Sequence, residues 1–245
     1  MKTALKTILV ACIAYVISSP SAKAIVGYVN RQFSPGYSLF VNPLQYTNDH
    51  LSAVIATAPI GTVVSLWDYG TQSYVPSATF NGASWSSDFL LEVGTGAMLY
   101  TPAVFTNTFI GTLLNTDGTP WDGGALHLPP AAPPLTGLVL ANSTIPASVT
   151  SLGGYTLFEQ IFGRLPLDGE QFFRWNSATQ TLEDPLFAEG GVWYDSAYNQ
   201  IDPILSVGEA GFWGVGTPVV PEPTSMGLFA LGAVTWFGAR RRFNR

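Results

Sequence analysis

The chain has 245 residues, of which 13% are aromatic and 11% are charged, and its formal net charge is −6. This aromatic content excludes a disordered chain, and the length is sufficient for a good hydrophobic core. Only three of the ten basic residues lie between residues 25 and 223, whereas all sixteen acidic residues lie there. Because such a body repels phosphate backbones, the sequence argues against nucleic-acid binding.

The first 24 residues have the pattern of a secretory signal peptide. Lys2 and Lys6 form a positive start, residues Ile8–Ile17 form an apolar run, and Ala22 and Ala24 form an A-x-A cleavage site. We therefore expect a signal helix that signal peptidase removes after Ala24. The protein would then be exported.

Cys12 leaves a second interpretation of the N-terminus open. It follows Leu9-Val10-Ala11, which is similar to a lipobox with Cys12 as the lipidated residue. Against this, the apolar run before Cys12 is short and continues beyond it. Cys12 is the only cysteine, so a body cleaved after Ala24 has no disulfide and depends on core packing.

The body is predicted to be mainly β, because short β-branched and aromatic runs alternate with turn residues. The strands predicted in its first half are Tyr37–Val41, Gly61–Trp67, Ser73–Phe80, Gly96–Pro102 and Phe105–Leu114. Turns are predicted at Asn81-Gly82, Asp117-Gly118 and Asp122-Gly123. Asn48 is expected to cap one short helix, which would run through Ala58 and end at Pro59.

The tryptophans indicate an internal repeat. Trp67 and Trp85 are eighteen residues apart, and so are Trp175 and Trp193. A Thr-Gln pair follows Trp67 and Trp175 at the same distance, and the offset between the copies is close to 108 residues. We predict duplicated strand-rich units, each a sandwich- or barrel-like meander with one short helix.

The predicted boundaries follow from this repeat and from a proline-rich stretch. The first β-rich repeat would span residues 25–127, and the second would span residues 136–217. Residues 128–135 would form a stiff proline-rich linker between them.

Two roles are open for the four repeated tryptophans. They can pack in the core of each unit, as aromatic residues on strands usually do. Alternatively Trp67, Trp85, Trp175 and Trp193 are exposed and form an aromatic platform on which sugars stack.

The sequence contains no recognisable catalytic pattern. His50 and His127 lack the spacing of a zinc site, and no G-x-S-x-G elbow is present. The carboxylate pairs considered for a glycosidase are Glu159 with Glu170 and Glu183 with Asp184. Neither pair follows a known pattern, so we predict a protein that is not an enzyme.

No cofactor is predicted, with calcium as the one candidate ligand. Asn115, Asp117 and Asp122 supply oxygen atoms in a turn-rich loop of the kind that calcium sites use. This loop lacks the EF-hand pattern, so a plain Asp-Gly hairpin loop explains the same residues.

Residues 218–245 contain three different pieces in a fixed order. The first is the motif Pro221, Glu222 and Pro223, in which the two prolines hold the backbone extended. An uncharged run then predicts a transmembrane helix at about residues 225–239, which is short for a bilayer. The run ends in a basic cluster that should stay cytoplasmic, formed by Arg240, Arg241, Arg242 and Arg245. A buried C-terminal helix of a soluble domain is the alternative.

This tail resembles the PEP-CTERM sorting signal of exported bacterial proteins. The resemblance implies that Pro221, Glu222 and Pro223 are recognised by a membrane-embedded exosortase, which removes the helix. It implies a transient stay in the inner membrane and a final place at the cell surface or outside the cell. The tail predicts a route and leaves the task of the body open.

Two functions of different classes remain. The first is a noncatalytic surface or extracellular-matrix protein, with exopolysaccharide as a candidate partner. The second is a secreted carbohydrate-binding module or carbohydrate-active enzyme that uses exposed aromatic strands.

Overall fold

The computed structural model describes residues 26–75, 77–114, 119, 137–141 and 157–216. We call the described residues 26–114 the first unit and the described residues 137–216 the second unit. The strands of the first unit are β1 (Val26–Phe33), β2 (Gly36–Val41), β3 (Val63–Asp68), β4 (Ser73–Tyr74), β5 (Ala78–Thr79), β6 (Gly96–Thr101) and β7 (Phe105–Thr112). The strands of the second unit are β8 (Gly137–Ala141), β9 (Gln171–Asn176), β10 (Thr181–Leu182), β11 (Leu186–Glu189), β12 (Val192–Tyr194) and β13 (Gly211–Val215). Two short helices complete the described elements, α1 (Leu51–Val54) and α2 (Leu157–Phe162).

The predicted mainly β class is confirmed. The described residues include no helix that is long and apolar enough to cross a membrane. The signal peptide, the proline-rich linker, the candidate calcium loop and the C-terminal helix with its arginines lie outside the described residues.

The predicted helix from Asn48 to Pro59 was wrong in both its start and its length. The structure has a single turn, α1, that begins after His50. Asn48 instead accepts a hydrogen bond from the backbone N–H of His50. The helix stops at Val54 because side chains that lie far along the chain bond to its last carbonyls. Asn107 donates to Val54 O at 3.0 Å, and Trp85 donates to Ile55 O at 2.9 Å.

Two other sequence-based expectations differ from the structure. The predicted strand Ser73–Phe80 consists of two short strands, β4 and β5, that pair with different parts of β3. β1 was not predicted, although it is one of the longest strands. It pairs antiparallel with β7 along its whole length, from Val26 with Thr112 to Phe33 with Phe105.

The two units share one sheet topology. In the first unit the strand order is β2-β6-β3-β4, with β5 also on β3. In the second unit the order begins β8-β13-β9, and both β10 and β11 pair with β9. All these pairs are antiparallel. Strands β2, β3, β4, β5 and β6 therefore correspond to β8, β9, β10, β11 and β13.

Each unit has a core of its own, and equivalent positions fill both cores. Val64 on β3 and Leu99 on β6 are buried in the first unit, where Phe172 and Trp213 occupy the same positions in the second. A third cluster contains residues of both units, because the sheets also pack on each other. Its buried members are Leu39, Val41, Leu140, Phe173, Ala210 and Phe212.

The contact between the units is closed by a side-chain clamp at the start of β2. Gln180 of the second unit accepts a hydrogen bond from Tyr37 N at 2.6 Å and donates one to Tyr37 O at 3.0 Å. The indole N–H of Trp175 donates to the same carbonyl at 2.9 Å. A strand end of one unit is thereby held by a glutamine and a tryptophan of the other.

The reverse contact is made at the start of β8. Gln72 of the first unit accepts from Leu138 N at 2.6 Å and donates to Leu138 O at 3.3 Å. Trp67 Nε1 donates to Leu138 O at 2.9 Å. The two clamps are therefore equivalent, and the contact is isologous, like that of a two-fold symmetric dimer.

A glycine opens each clamped strand, for a steric reason. Gly36 has φ of +103° and Gly137 has φ of +116°, which side chains rarely tolerate. A Cβ atom on Gly36 would lie 2.6 Å from Oε1 of Gln180, and one on Gly137 would lie 2.6 Å from Oε1 of Gln72. The glutamines can approach the backbone only because both positions lack a side chain.

We predict that Gln180→Ala lowers the free energy of unfolding by about 1–3 kcal/mol, because the N–H of Tyr37 loses its acceptor. Urea denaturation of the purified protein measures this change. Gln200→Ala is the matched control, since the side chain of Gln200 is exposed, and its effect should stay within about 0.5 kcal/mol. Equal effects of the two substitutions would contradict a stabilising clamp.

Candidate functional site

The structure places two of the four repeated tryptophans in the cores. Trp85 is 8% exposed and Trp193 is 2% exposed. Trp193 packs against Phe158 and Trp213. Neither indole presents a free face on which a sugar ring could stack.

The other two tryptophans belong to the clamps. Trp67 and Trp175 are partly buried, and their N–H groups are engaged by the opposite unit. Trp67 also packs edge-on against Tyr74 and Phe212, with ring centroids 5.0 and 5.1 Å away. Trp175 differs from Trp67, because it also lines an open cleft.

This cleft lies between β1 and the second unit and has a volume of about 500 Å³. Trp175 forms part of its wall, and the neighbouring wall residues are mostly amides and hydroxyls, among them Asn30, Asn176 and Ser177. Ligand sites commonly combine an aromatic wall with a few orienting polar groups. Sequence reasoning missed this site, because β1 reaches the second unit only in the folded chain.

Arg31 extends from β1 and lines the cleft. Its Nη1 donates to Gly208 O, and its Nη2 donates to Leu39 O at 2.8 Å. Burial lowers the pKa of Arg31 to about 10, against the opposing effect of Glu209. The guanidinium therefore remains charged at neutral pH and ties β1 to both units.

A charged pair, Arg174 with Glu209, also lines the cleft. Arg174 Nε lies 2.9 Å from Glu209 Oε1, and Arg174 Nη2 lies 3.3 Å from Glu209 Oε2. The backbone N–H of Ser206 donates to the same carboxylate at 2.9 Å. The hydrogen bond to Glu209 raises the pKa of Arg174, while burial opposes it. Arg174 is thus paired with a carboxylate, and Arg31 is bonded to two backbone carbonyls.

Two of the carboxylates considered for glycosidase chemistry, Glu170 and Glu183, lie in different surroundings. Glu170 is fully buried and accepts hydrogen bonds from Arg164 at 2.5 and 2.9 Å. Burial alone would raise the pKa of Glu170, but Arg164 and the N–H groups of Gly216 and Leu167 together hold it below its usual value. A carboxylate held ionised in this way is poorly suited to donate a proton as a general acid. Glu183, by contrast, is exposed at the cleft.

Of the two histidines, the structure describes His50. Nδ1 of His50 lies 3.0 Å from Asp88 O and 3.8 Å from Asp88 Oδ2, both at the surface. His127 lies outside the described residues. In the parts of the chain that the structure describes, no group of three or more His, Cys, Asp or Glu is placed to hold a metal ion.

Comparison with protein families matches residues 219–242 to the PEP-CTERM protein-sorting motif. The resemblance of the tail is thereby confirmed, and the match includes Pro221, Glu222 and Pro223. Comparison with curated proteins found no match, and comparison with solved structures found none either. The motif supports an exported protein that is sorted through an exosortase and processed at the membrane.

We predict that Glu170→Gln lowers the free energy of unfolding by about 1–3 kcal/mol at pH 7, because it breaks the ion pair between the buried carboxylate of Glu170 and Arg164, whose side chain is 38% exposed. Since folding lowers the pKa of Glu170 below its usual 4.5, its contribution is complete above that pH and is lost as the pH falls through the folded-state value.

The measurement is urea denaturation of wild type and variant between pH 7 and pH 3. The difference between them should shrink below about pH 4.5. Glu189→Gln is the control, because Glu189 is exposed. A difference between wild type and Glu170→Gln that does not change with pH would contradict this assignment.

Proposed function

We propose that the protein is a noncatalytic surface or extracellular-matrix protein that is delivered by its PEP-CTERM signal and associates with exopolysaccharide. The single observation that carries the proposal is the motif at residues 219–242. In this proposal signal peptidase removes the first 24 residues, and the exosortase then removes the apolar helix and the arginine cluster. The body is left at the cell surface or outside the cell.

The surroundings of the charged groups support a structural role for the body. Asp68 and Asp195 cap turns, with backbone N–H groups of Gly70, Thr71, Ala197 and Asn199 as donors. The hydrogen bonds from these turns lower the pKa of both carboxyls, so they stay ionised. Glu170 and Glu209 are engaged by arginines. These carboxylates stabilise the fold.

A second candidate function, carbohydrate binding, is favoured by the cleft. The tryptophan platform first expected for it would lack Trp85 and Trp193, which are buried. The cleft offers Trp175 together with amides and hydroxyls instead.

We predict that replacing Pro221, Glu222 and Pro223 together by alanine blocks removal of the C-terminal segment. The extended backbone that the prolines impose would be lost, and with it the feature that the exosortase is expected to recognise. The variant should accumulate in the membrane fraction with Arg240–Arg245 still attached. Mass spectrometry of intact protein from wild-type and variant cells measures both termini.

Pro218→Ala is the control, since this proline lies one residue outside the matched motif. It should be processed like the wild type, which should begin at Ile25 and lack the residues after the motif. A wild-type protein that keeps Arg240–Arg245 in the soluble cytoplasmic fraction would overturn the proposed route.

A further inference from the structure

The two units contain the same turn, and the cleft lies beside the copy in the second unit. The turns follow β3 and β9 and span residues 68–72 and 176–180. Asp68 Oδ1 accepts from Gly70 N and Thr71 N, as Asn176 Oδ1 accepts from Ala178 N and Thr179 N. Both turns end in a clamping glutamine with positive φ, +51° in Gln72 and +56° in Gln180.

The second residue of the turn differs between the units. In the first unit it is Tyr69, whose hydroxyl donates to Leu140 O at 3.1 Å and whose ring packs on the core of the second unit. In the second unit it is Ser177, which is exposed. A large side chain that fills the gap between the units on one side is therefore missing on the other.

Arg31 replaces the missing tyrosine as the hydrogen-bond donor to the carbonyl of Leu39. Leu39 on β2 corresponds to Leu140 on β8, and Arg31 donates to Leu39 O as Tyr69 donates to Leu140 O. Arg31 comes from β1, and the described part of the second unit contains no strand pair equivalent to β1 and β7. Arg31 therefore reaches this carbonyl from β1 and not from the turn, and Ser177, at the position of the tyrosine, lines the cleft.

Two charged residues that line the cleft, Arg174 and Glu209, also differ from their equivalents in the first unit. The bridge between Phe40 and Glu209 corresponds to the bridge between Thr95 and Ala141, so Glu209 stands where the first unit has Thr95. By the same register Arg174 stands where the first unit has Leu66, since each pairs with the equivalent strand, β13 or β6. At the cleft two charged residues thus replace neutral ones, and the small Ser177 replaces a large tyrosine.

We propose that this cleft binds an uncharged saccharide unit of a glycan. This inference rests on the proposed function, because it names the ligand class that the surface protein would hold. Trp175 supplies an aromatic wall. The Nδ2 groups of Asn30 and Asn176 supply donors, since their Oδ1 atoms already accept hydrogen bonds from Thr108 and from the turn, and the hydroxyl of Ser177 can donate and accept. A sugar presents both an apolar ring face and hydroxyl groups that donate and accept, so it matches such a lining.

The electrostatics of the cleft select a neutral ligand over an anionic one. Arg174 is paired with Glu209, and Arg31 is held by two backbone carbonyls. The carboxylate of Glu183 at the rim adds negative charge. A uronate or phosphate would have to compete with Glu209 for the guanidinium groups, whereas a hydroxyl can bond to arginine and carboxylate alike.

Binding is tested on the exported, processed protein with soluble neutral oligosaccharides, namely hexaoses of glucan and mannan. Alginate oligosaccharides serve as the anionic probe. We expect isothermal titration calorimetry to detect a neutral hexaose, with a shift of tryptophan emission because Trp175 lines the cleft. Failure of every neutral probe to bind at millimolar concentration, or tighter binding of alginate, would overturn the proposal.

Ser177→Tyr installs the residue of the equivalent turn and should weaken binding of the neutral hexaose at least about tenfold, by filling the cleft. Tyr69→Phe is its matched control, because it changes the equivalent turn and leaves the cleft open. Its affinity should equal that of the wild type. Unchanged affinity in Ser177→Tyr, with circular dichroism like that of the wild type, would place the binding elsewhere and contradict the proposal.

If Ser177→Tyr does not fold, the affinity of Glu183→Ala for the neutral hexaose tests the proposal instead. Glu183 is exposed, so its removal should not disturb the fold. Loss of a charged acceptor should weaken binding about tenfold, whereas Asp184→Ala, at an exposed neighbour outside the cleft, should not. Equal affinities of the two variants would count against the cleft. If the protein isolated from its own cells binds the hexaose but keeps its C-terminal segment, the binding supports the cleft and the uncleaved segment contradicts the proposed route.

Discussion

The structure depends on one reciprocal contact, in which each unit holds the first strand of the other. Trp175 and Gln180 satisfy the backbone of Tyr37, and Trp67 and Gln72 satisfy that of Leu138. A polar backbone group at a packed interface costs free energy unless it finds a partner. The clamps supply those partners where the apolar sheet faces meet. The shared cluster can therefore be buried without leaving strand ends unpaired.

The same contact explains why the units differ where they do. Two equivalent faces that pack on each other need equivalent residues along their shared axis, and the glycines, glutamines and tryptophans meet that need. Positions away from the axis are free to differ. Tyr69 closes one flank, and on the other Ser177 and Arg31 leave a cleft. The two units thus differ at residues that the packing between them does not constrain.

The sequence predicted the parts of this fold that depend on local pattern. The β class follows from composition, and the tryptophan spacing identifies Trp67 and Trp175 as equivalent, since they pair with Tyr74 on β4 and with Leu182 on β10. The clamps could not be predicted, because their partners are 66 to 143 residues apart. The end of α1 was missed for the same reason, since Asn107 and Trp85 bond to it from 53 and 30 residues further along the chain. The cleft needs β1, whose polar residues concealed its strand pattern.

Charge connects the body to the tail. Each of the three arginines of the described body is engaged, Arg31 by carbonyls, Arg164 by Glu170 and Arg174 by Glu209. The remaining carboxylates leave the surface acidic, and such a surface is repelled by anionic lipid headgroups. Basic residues that favour the cytoplasmic side are concentrated in Arg240–Arg245. The proposed removal of that segment takes these basic residues away, and the acidic body that it leaves has no electrostatic attraction to an anionic membrane surface.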